Sequence, residues 1–391
     1  MGISWVLLIA AAVIYIQNLC FRLWGFFGLR YVRQFNVQHC FEGDEIEMVE
    51  TIVNRKLLPL PWLRLESLIP GGLRFEHQSN LGISSGQLFQ NHRSLFSLMP
   101  YTKIVRRHSV VCSKRGSYRL DTATLSIGDI LGVQAGTRSQ KLDLHLLVYP
   151  KLVQWNDIPL PAHSWQGDIF VKRWIMQDPF AASGVREYQY GDSLGSIHWK
   201  ATARSQKLQV HNREFTADPR LMIILNTQIT ETMWEAVSDP ELVELGITYA
   251  ASLAQHAISQ GIPVGFCSNA YSEDAPKVPI HIHAEGGWDQ LNLLYETMAK
   301  LVISCCRSID DFLEMERHQT EAAMDYILIT PFISRRVEEQ IELMRLNGHA
   351  VEIIELQHEP IANDRVSEEN RVNENKSKHE SGVTNHGGHA S

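Results

Sequence analysis

The sequence predicts a mixed chain: an N-terminal transmembrane helix, an antiparallel β-sandwich or barrel, then an α/β domain on a parallel sheet. Three observations predict it. Ile3–Phe21, ISWVLLIAAAVIYIQNLCF, carries no charged residue. Short runs with polar–apolar alternation and turn residues between them fill Asn36–Pro150, as strands with one wet face do. Beyond Leu221, continuous apolar runs alternate with helical stretches, which implies parallel strands joined by right-handed crossovers. The expected division is an anchor and basic aromatic interfacial segment at 1–35 and a β-sandwich at 36–150. A connector with a charged aromatic motif follows at 151–215, the α/β domain at 216–356 and a disordered tail at 357–391.

Composition bounds the function. A chain of 391 residues with 44% hydrophobic content is long enough for two or three folded units. Its 36 Lys+Arg against 44 Asp+Glu give a net charge of -8, which argues against a nucleic-acid partner. The cysteines at 20, 40, 112, 267, 305 and 306 show no C-x-x-C spacing, and read as reduced, mostly buried thiols in the cytosol.

Taking the elements in order, Ile3–Phe21 matches the roughly 20 apolar residues that cross a bilayer as a helix. No Lys or Arg precedes it, unlike a signal peptide. Arg22, Arg30 and Arg33 follow, interleaved with Trp24, Phe26, Phe27 and Tyr31. Basic residues on that flank place the C-terminal side in the cytoplasm, and the aromatics suit the interface. The expected localisation is the cell membrane, single-pass, with the lipid bilayer as a partner. Leu23–Leu29 is too short to span, and is interfacial or re-entrant.

Glu45–Val53 alternates polar and apolar residues as a half-buried strand does. Leu57–Trp62 holds two prolines that exclude helix and favour a kinked edge strand or loop. Further strands are expected at Thr102–Cys112, Gly116–Leu125 and Asp143–Tyr149. In the α/β part, Leu221–Leu225, Val264–Cys267, Tyr326–Ile329 and Val351–Leu356 read as strands. Pro240–Gln260, Trp288–Cys306 and Ser334–Asn347 read as helices. The tail lacks aromatics and is too polar to order itself. His281 and His283 share a strand face, but two imidazoles alone do not make a zinc site.

Chemistry concentrates in Gly184–Arg204, GVREYQYGDSLGSIHWKATAR. Charges of both signs among aromatics there point to a partly buried ionic network. Asp192, His198 and Lys200 could form an acid/base or anion-handling set. No nucleophile elbow, phosphate-binding glycine loop or metal triad accompanies them, so no catalytic residue is assigned. If Ser196–Thr202 is a strand, His198 and Lys200 share its polar face and Trp199 packs on the other, the pattern of a structural latch or binding surface.

That stretch resembles the signature of family fifty-eight of the domains of unknown function: a glycine before R-E-Y, then G-D, then I-x-W-K-A-S/T-A-R. The matching residues are Gly184, Arg186, Glu187, Tyr188, Gly191, Asp192, Ile197, Trp199, Lys200, Ala201, Thr202, Ala203 and Arg204. Gly195 stands where the family usually carries arginine. Asn54–Trp62 and Arg115–Tyr118 are also similar to family segments. The resemblance implies N-terminal membrane segments, a von Willebrand factor A-like α/β domain and a non-enzymatic adaptor or scaffold role. The partners it implies are a MoxR-type AAA+ ATPase and a transglutaminase-like membrane protein. It brings no cofactor. A metal-binding domain of that type carries D-x-S-x-S after its first strand, because Mg2+ prefers anionic oxygens. Here Asn226 replaces the carboxylate and Gln228 the first serine, leaving Thr230 with a hydroxyl, so no metal is expected. A hydrolase using Asp192, His198 and Lys200, and a cell-surface adhesion module, are the alternative readings.

Overall fold

The computed structural model describes residues 2–75, 81–85, 89–129, 133–159, 182–187, 198–205, 207–213, 220–232, 237–319 and 324–357. The apolar N-terminal run forms helix α1 (Gly2–Trp24), long and apolar enough to cross a bilayer. At 1.5 Å per residue its length is about 34 Å, against a hydrocarbon core of roughly 30 Å. Its last turn sinks into the next domain, where Phe21 is buried. A Cβ on Gly25 would collide with Ile127 Cδ1 and the Phe21 carbonyl oxygen, so only glycine fits this close approach.

The sandwich comprises β1 (Leu29–Phe35), β2 (His39–Phe41), β3 (Glu45–Asn54), β4 (Leu60–Pro70), β5 (Leu73–Phe75), β6 (Leu81–Ser85), β7 (Phe89–Leu98), β8 (Lys103–Cys112), β9 (Gly116–Gly128) and β10 (Gln134–Tyr149). One sheet has the order β1-β3-β8-β5, the other β2-β10-β9-β4-β7-β6. All pairings are antiparallel except β2 with β10. Tyr31 and Ile52 from the first sheet share a core with Leu63, Phe96 and Ile127 from the second. The basic aromatic stretch therefore divides. Trp24 and Phe27 stay exposed, whereas Phe26 packs on this core and Tyr31 and Arg33 are buried. The alternation in β1 turns them inward.

A two-stranded ribbon of β11 (Ala182–Glu187) and β12 (Gln209–Arg213) follows, with the short helix α2 (Trp199–Ser205) before its second strand. The last domain contains β13 (Leu221–Leu225), α3 (Pro240–Ser259), β14 (Val264–Ser272), β15 (Ala275–Glu285), α4 (Trp288–Lys300), β16 (Leu301–Cys305), α5 (Ile309–Gln319), β17 (Asp325–Thr330), α6 (Arg335–Leu346) and β18 (Ala350–Glu355). Asp239 caps α3 by accepting from the Leu242 N–H, with Pro240 just inside the helix. Gly246 lets α3 approach the sheet: a Cβ there would lie 2.8 Å from Leu225 Cδ1 and 2.9 Å from Leu356 Cδ1.

The sheet runs β15-β14-β13-β17-β18, with β16 also pairing β14. Only β14, β13, β17 and β18 are mutually parallel; β15 and β16 join antiparallel. The expected parallel sheet is thus mixed. The expected helix Trp288–Cys306 stops at Lys300, because Val302 and Ile303 favour extended backbone and Leu301–Cys305 hydrogen-bonds to β14. The tail beyond Gln357 lies outside the described residues.

Candidate functional site

The motif is described at Gly184, Arg186 and Glu187, which lie in β11, and again from His198 to Arg204. Tyr188, Gly191 and Asp192 lie outside the described residues. Residues 199–205 are helical, so His198 and Lys200 do not alternate on a strand. His198 sits at the helix start instead. Its Nδ1 accepts from the Ala201 N–H at 3.1 Å, the position of an N-cap acceptor. Its own N–H donates to the Gln209 carbonyl at 2.7 Å. Thr202 Oγ1 accepts from the Gln209 N–H at 2.9 Å, which ties α2 to β12. Trp199 was expected to pack inward, yet it is 69% exposed; helical geometry turns it to solvent beside the exposed Lys200 and Arg204.

The three positions expected to hold a degenerate metal site follow β13 at the carboxyl edge of the sheet, where ligand crevices form in α/β folds. Asn226 and Gln228 are buried, with Thr227, Asn269 and Thr330. Asn226 Oδ1 accepts from the Gln228 N–H at 2.9 Å and from Asn269 Nδ2 at 3.1 Å. Asn226 Nδ2 donates to Thr330 Oγ1 at 2.9 Å, and that hydroxyl donates to the Phe332 carbonyl. Gln228 Nε2 donates to the Thr230 carbonyl at 2.8 Å, while its Oε1 accepts from the Ile309 N–H at 2.9 Å. The Thr227 N–H and hydroxyl both donate to Asn269 Oδ1. Thr230 contributes its carbonyl and is exposed. These neutral groups satisfy one another, as buried polar atoms must. Among the described residues, no group of three or more His, Cys, Asp or Glu could hold a metal ion.

The sandwich meets the α/β domain through a second constellation. Arg115 Nε donates to Glu244 Oε2 at 2.6 Å, and its Nη1 to the carbonyls of Met298, Ala299 and Leu301 at 2.7, 3.3 and 3.0 Å. The guanidinium thus sits at the C-terminus of α4, where carbonyls lack intrahelical partners and attract cations. Tyr149 and Phe41 contact Tyr295 on α4 with ring centroids 5.5 and 5.4 Å apart. Beside them lies a cleft of about 660 Å³ lined by Arg119, His145, Glu296 and Lys300 among others.

A third cluster is buried between the sandwich sheets. Glu50 Oε1 accepts from the Tyr31 hydroxyl at 2.7 Å and from Arg33 Nη2 at 2.6 Å, and Oε2 lies 3.1 Å from His108 Nε2. Burial alone would raise the Glu50 pKa, but bonding to His108 and the charge of Arg33 bring it down to about 2. Facing them from β7, His92 has its pKa lowered to about 4, first by burial and then by Arg33. Sequence reasoning missed this cluster. Its signal was phase: Glu50 falls in register with Ile46, Met48 and Ile52 on the buried face of β3. At the far sheet edge, His281 pairs with buried Glu316 at 3.2 Å. That hydrogen bond, outweighing burial, raises the histidine's pKa. His283 lies 4.8 Å away, ring to ring.

Residues 184–360 match the family described as "Protein of unknown function DUF58". The DUF58 match runs from β11 to just past β18 and so takes in the motif, the Asn226 lattice and the whole α/β domain. The chain is also 21% identical over 328 residues to "Uncharacterized protein YeaD" of Bacillus subtilis (strain 168), spanning 82% of this chain and 74% of that protein. Among solved structures, native alpha-2-macroglobulin from Escherichia coli, from domain MG7 to the C-terminus, aligns over 32% of this chain at 12% identity with a TM-score of 0.25. The chain spans 24% of that structure's length. A non-cellulosomal cohesin from Archaeoglobus fulgidus aligns over 29% of this chain and 91% of its own, at 12% identity and a TM-score of 0.21.

Proposed function

We propose that this protein is a member of the DUF58 family and a membrane-anchored, non-enzymatic adaptor. Its α/β part is a metal-less variant of the von Willebrand A type, and it works with a MoxR-type AAA+ ATPase and a transglutaminase-like membrane protein. The observation that carries the reading is the lattice around Asn226. The edge that would present anionic oxygens to a cation presents neutral amides and hydroxyls bonded to each other. A rigid, charge-neutral edge suits protein docking. The length and composition of α1 support the single-pass anchor, and the arginines after it support cytoplasmic domains. The Arg115 clamp supports a body that presents both domains as one surface.

Within the motif, Trp199 is the residue we assign to partner contact. Its indole is exposed on a helix fixed by His198 and Thr202, and exposed tryptophans are frequent anchors of protein interfaces. The test is affinity purification of the full chain from detergent extracts, beside Trp199→Ala and a chain lacking α1. Enrichment of an AAA+ ATPase by the wild type, lost in Trp199→Ala while thermal unfolding is unchanged, supports the adaptor. Equal recovery of the ATPase by wild type and Trp199→Ala removes the docking role of the motif. Absence of ATPase from the wild-type eluate removes the partner.

A further inference from the structure

Helix α1 does not end in a linker. Lys56, in the turn between β3 and β4, donates from Nζ to the Trp24 carbonyl at 2.9 Å and also to that of Gly25. The Arg55 N–H donates to the Gly28 carbonyl at 2.8 Å. The turn at residues 99–102, between β7 and β8, is fastened in turn: the Tyr101 N–H donates to the Lys56 carbonyl at 3.3 Å. Asn54 Nδ2 bridges the carbonyls of Leu58 and Met99, at 3.0 Å each. Three chain segments distant in sequence therefore form one end of the sandwich, bolted to the last turn of α1.

The side chains at that end are the wrong ones for water. Trp24, Phe27, Leu57, Met99 and Tyr101 are each between 65% and 76% exposed. A hollow of about 550 Å³, lined by Trp24, Phe27, Lys56, Leu57, Leu58 and Pro59, opens among the first of them. Tyr101 holds a left-handed backbone, φ 54°, which a bulky residue adopts rarely and at a cost. A large amphipathic ring is thus kept at the tip of a turn that glycine would fit more easily. Contiguous exposed apolar surface of this kind marks an interaction site. Arg22, Arg55 and Lys103 are exposed around it.

What covers the surface follows from its attachment. Because α1 is apolar over a bilayer's thickness, its final turn lies at the membrane interface, and whatever is bolted to that turn lies there too. We propose that this end of the sandwich is seated in the bilayer interface. Phe27, Leu57, Met99 and Tyr101 sit at the level of the lipid ester groups, and Arg22, Arg55 and Lys103 contact anionic headgroup phosphates. Aromatic and basic side chains are the residues that favour this layer. The inference rests on the reading of α1 as a membrane anchor and adds a depth and a face to it.

The test uses the full chain in vesicles of phosphatidylcholine and phosphatidylglycerol, with single nitroxide labels on a background in which Cys20 and Cys306 are serine. Labels replace Val13 in mid-helix, Leu57 and Tyr101 at the proposed seat, and Leu346, an exposed residue of α6. Electron paramagnetic resonance then compares collisions with lipid-soluble oxygen and a water-soluble nickel chelate. The expected ratio of oxygen to nickel collisions is several-fold higher at Leu57 and Tyr101 than at Leu346, and highest at Val13. If Val13 is deep while Leu57 and Tyr101 match Leu346, the seat is overturned and the anchor survives. If Leu57 and Tyr101 are shielded from both reagents, protein rather than lipid covers the surface, and the seat is again overturned. A water-exposed Val13 overturns the anchor itself.

Discussion

Glu50→Gln is the perturbation that most directly tests the cluster inside the sandwich. Glu50 and Arg33 are 2% and 3% exposed, so the amide leaves a guanidinium in the core without its counter-charge. Breaking a buried pair in this way costs about 3–5 kcal/mol. The depressed pKa of Glu50 gives a comparable figure. A carboxyl brought from its ordinary 4.5 to about 2 contributes roughly 3 kcal/mol at about 1.4 kcal/mol per pH unit. Because the folded pKa is the lower one, that contribution is present above pH 4.5 and lost as pH falls towards 2. The assay is urea unfolding of the full chain in detergent at pH 7, following the sandwich by hydrogen exchange in β3 and β8. The double variant Glu50→Leu with Arg33→Met removes both charges and should recover most of the loss. A cost below about 1 kcal/mol for Glu50→Gln, or a double variant no better than the single, refutes the claim that the charges depend on each other.

Other substitutions test neighbouring claims. His92, lowered from 6.5 to about 4, folds neutral, so its contribution is present above pH 6.5 and lost as pH falls through 4. His92→Leu should move the acid limb of the stability profile to lower pH, read by circular dichroism between pH 7 and pH 3. Arg115→Ala should weaken the joint between the two domains by about 2–4 kcal/mol, seen as separated calorimetric transitions and faster exchange at the end of α4. Arg115→Lys should recover only part of this, since ammonium lacks the planar fork. Asn226→Asp should destabilise by about 1–3 kcal/mol, because a carboxylate cannot donate to Thr330 Oγ1; millimolar Mg2+ should not restore the melting temperature.

The parts of the fold written in one-dimensional pattern were legible. The uncharged run at Ile3–Phe21, the alternation in Glu45–Val53 and the apolar run Leu221–Leu225 became α1, β3 and β13. What failed depended on pairing. Leu301–Cys305 continues the apolar stripe of a helix, and only its hydrogen bonds to β14 make it a strand. β15 was read as a strand only around His281 and His283; its start, with Pro276 and Pro279, lacks a clean strand signature and is strand because β14 offers it an edge. Helix α5 escaped notice too; its acidic surface, with Asp310, Asp311 and Glu314, resembles a loop until Phe312 and Leu313 are seen packed against Leu328. In the motif the sequence reading misjudged the geometry. Trp199 and Lys200 were placed on opposite strand faces, and a helix set them side by side in solvent. The Glu50 cluster hid because a charged residue in an inward phase looks like an interruption of the pattern rather than part of it.

The junction at Gly25 has a mechanical consequence. With Phe21 of its last turn buried, Gly25 held close to Ile127 and Lys56 bonded to the Trp24 carbonyl, α1 works as a mast without a hinge. If α1 spans a bilayer as proposed, the sandwich has no tether on which to tumble, and every copy would face its surroundings in the same orientation and at the same height. A force applied at the Arg115 joint would travel through β-sheet and reach α1 as a tilt rather than being absorbed by slack chain.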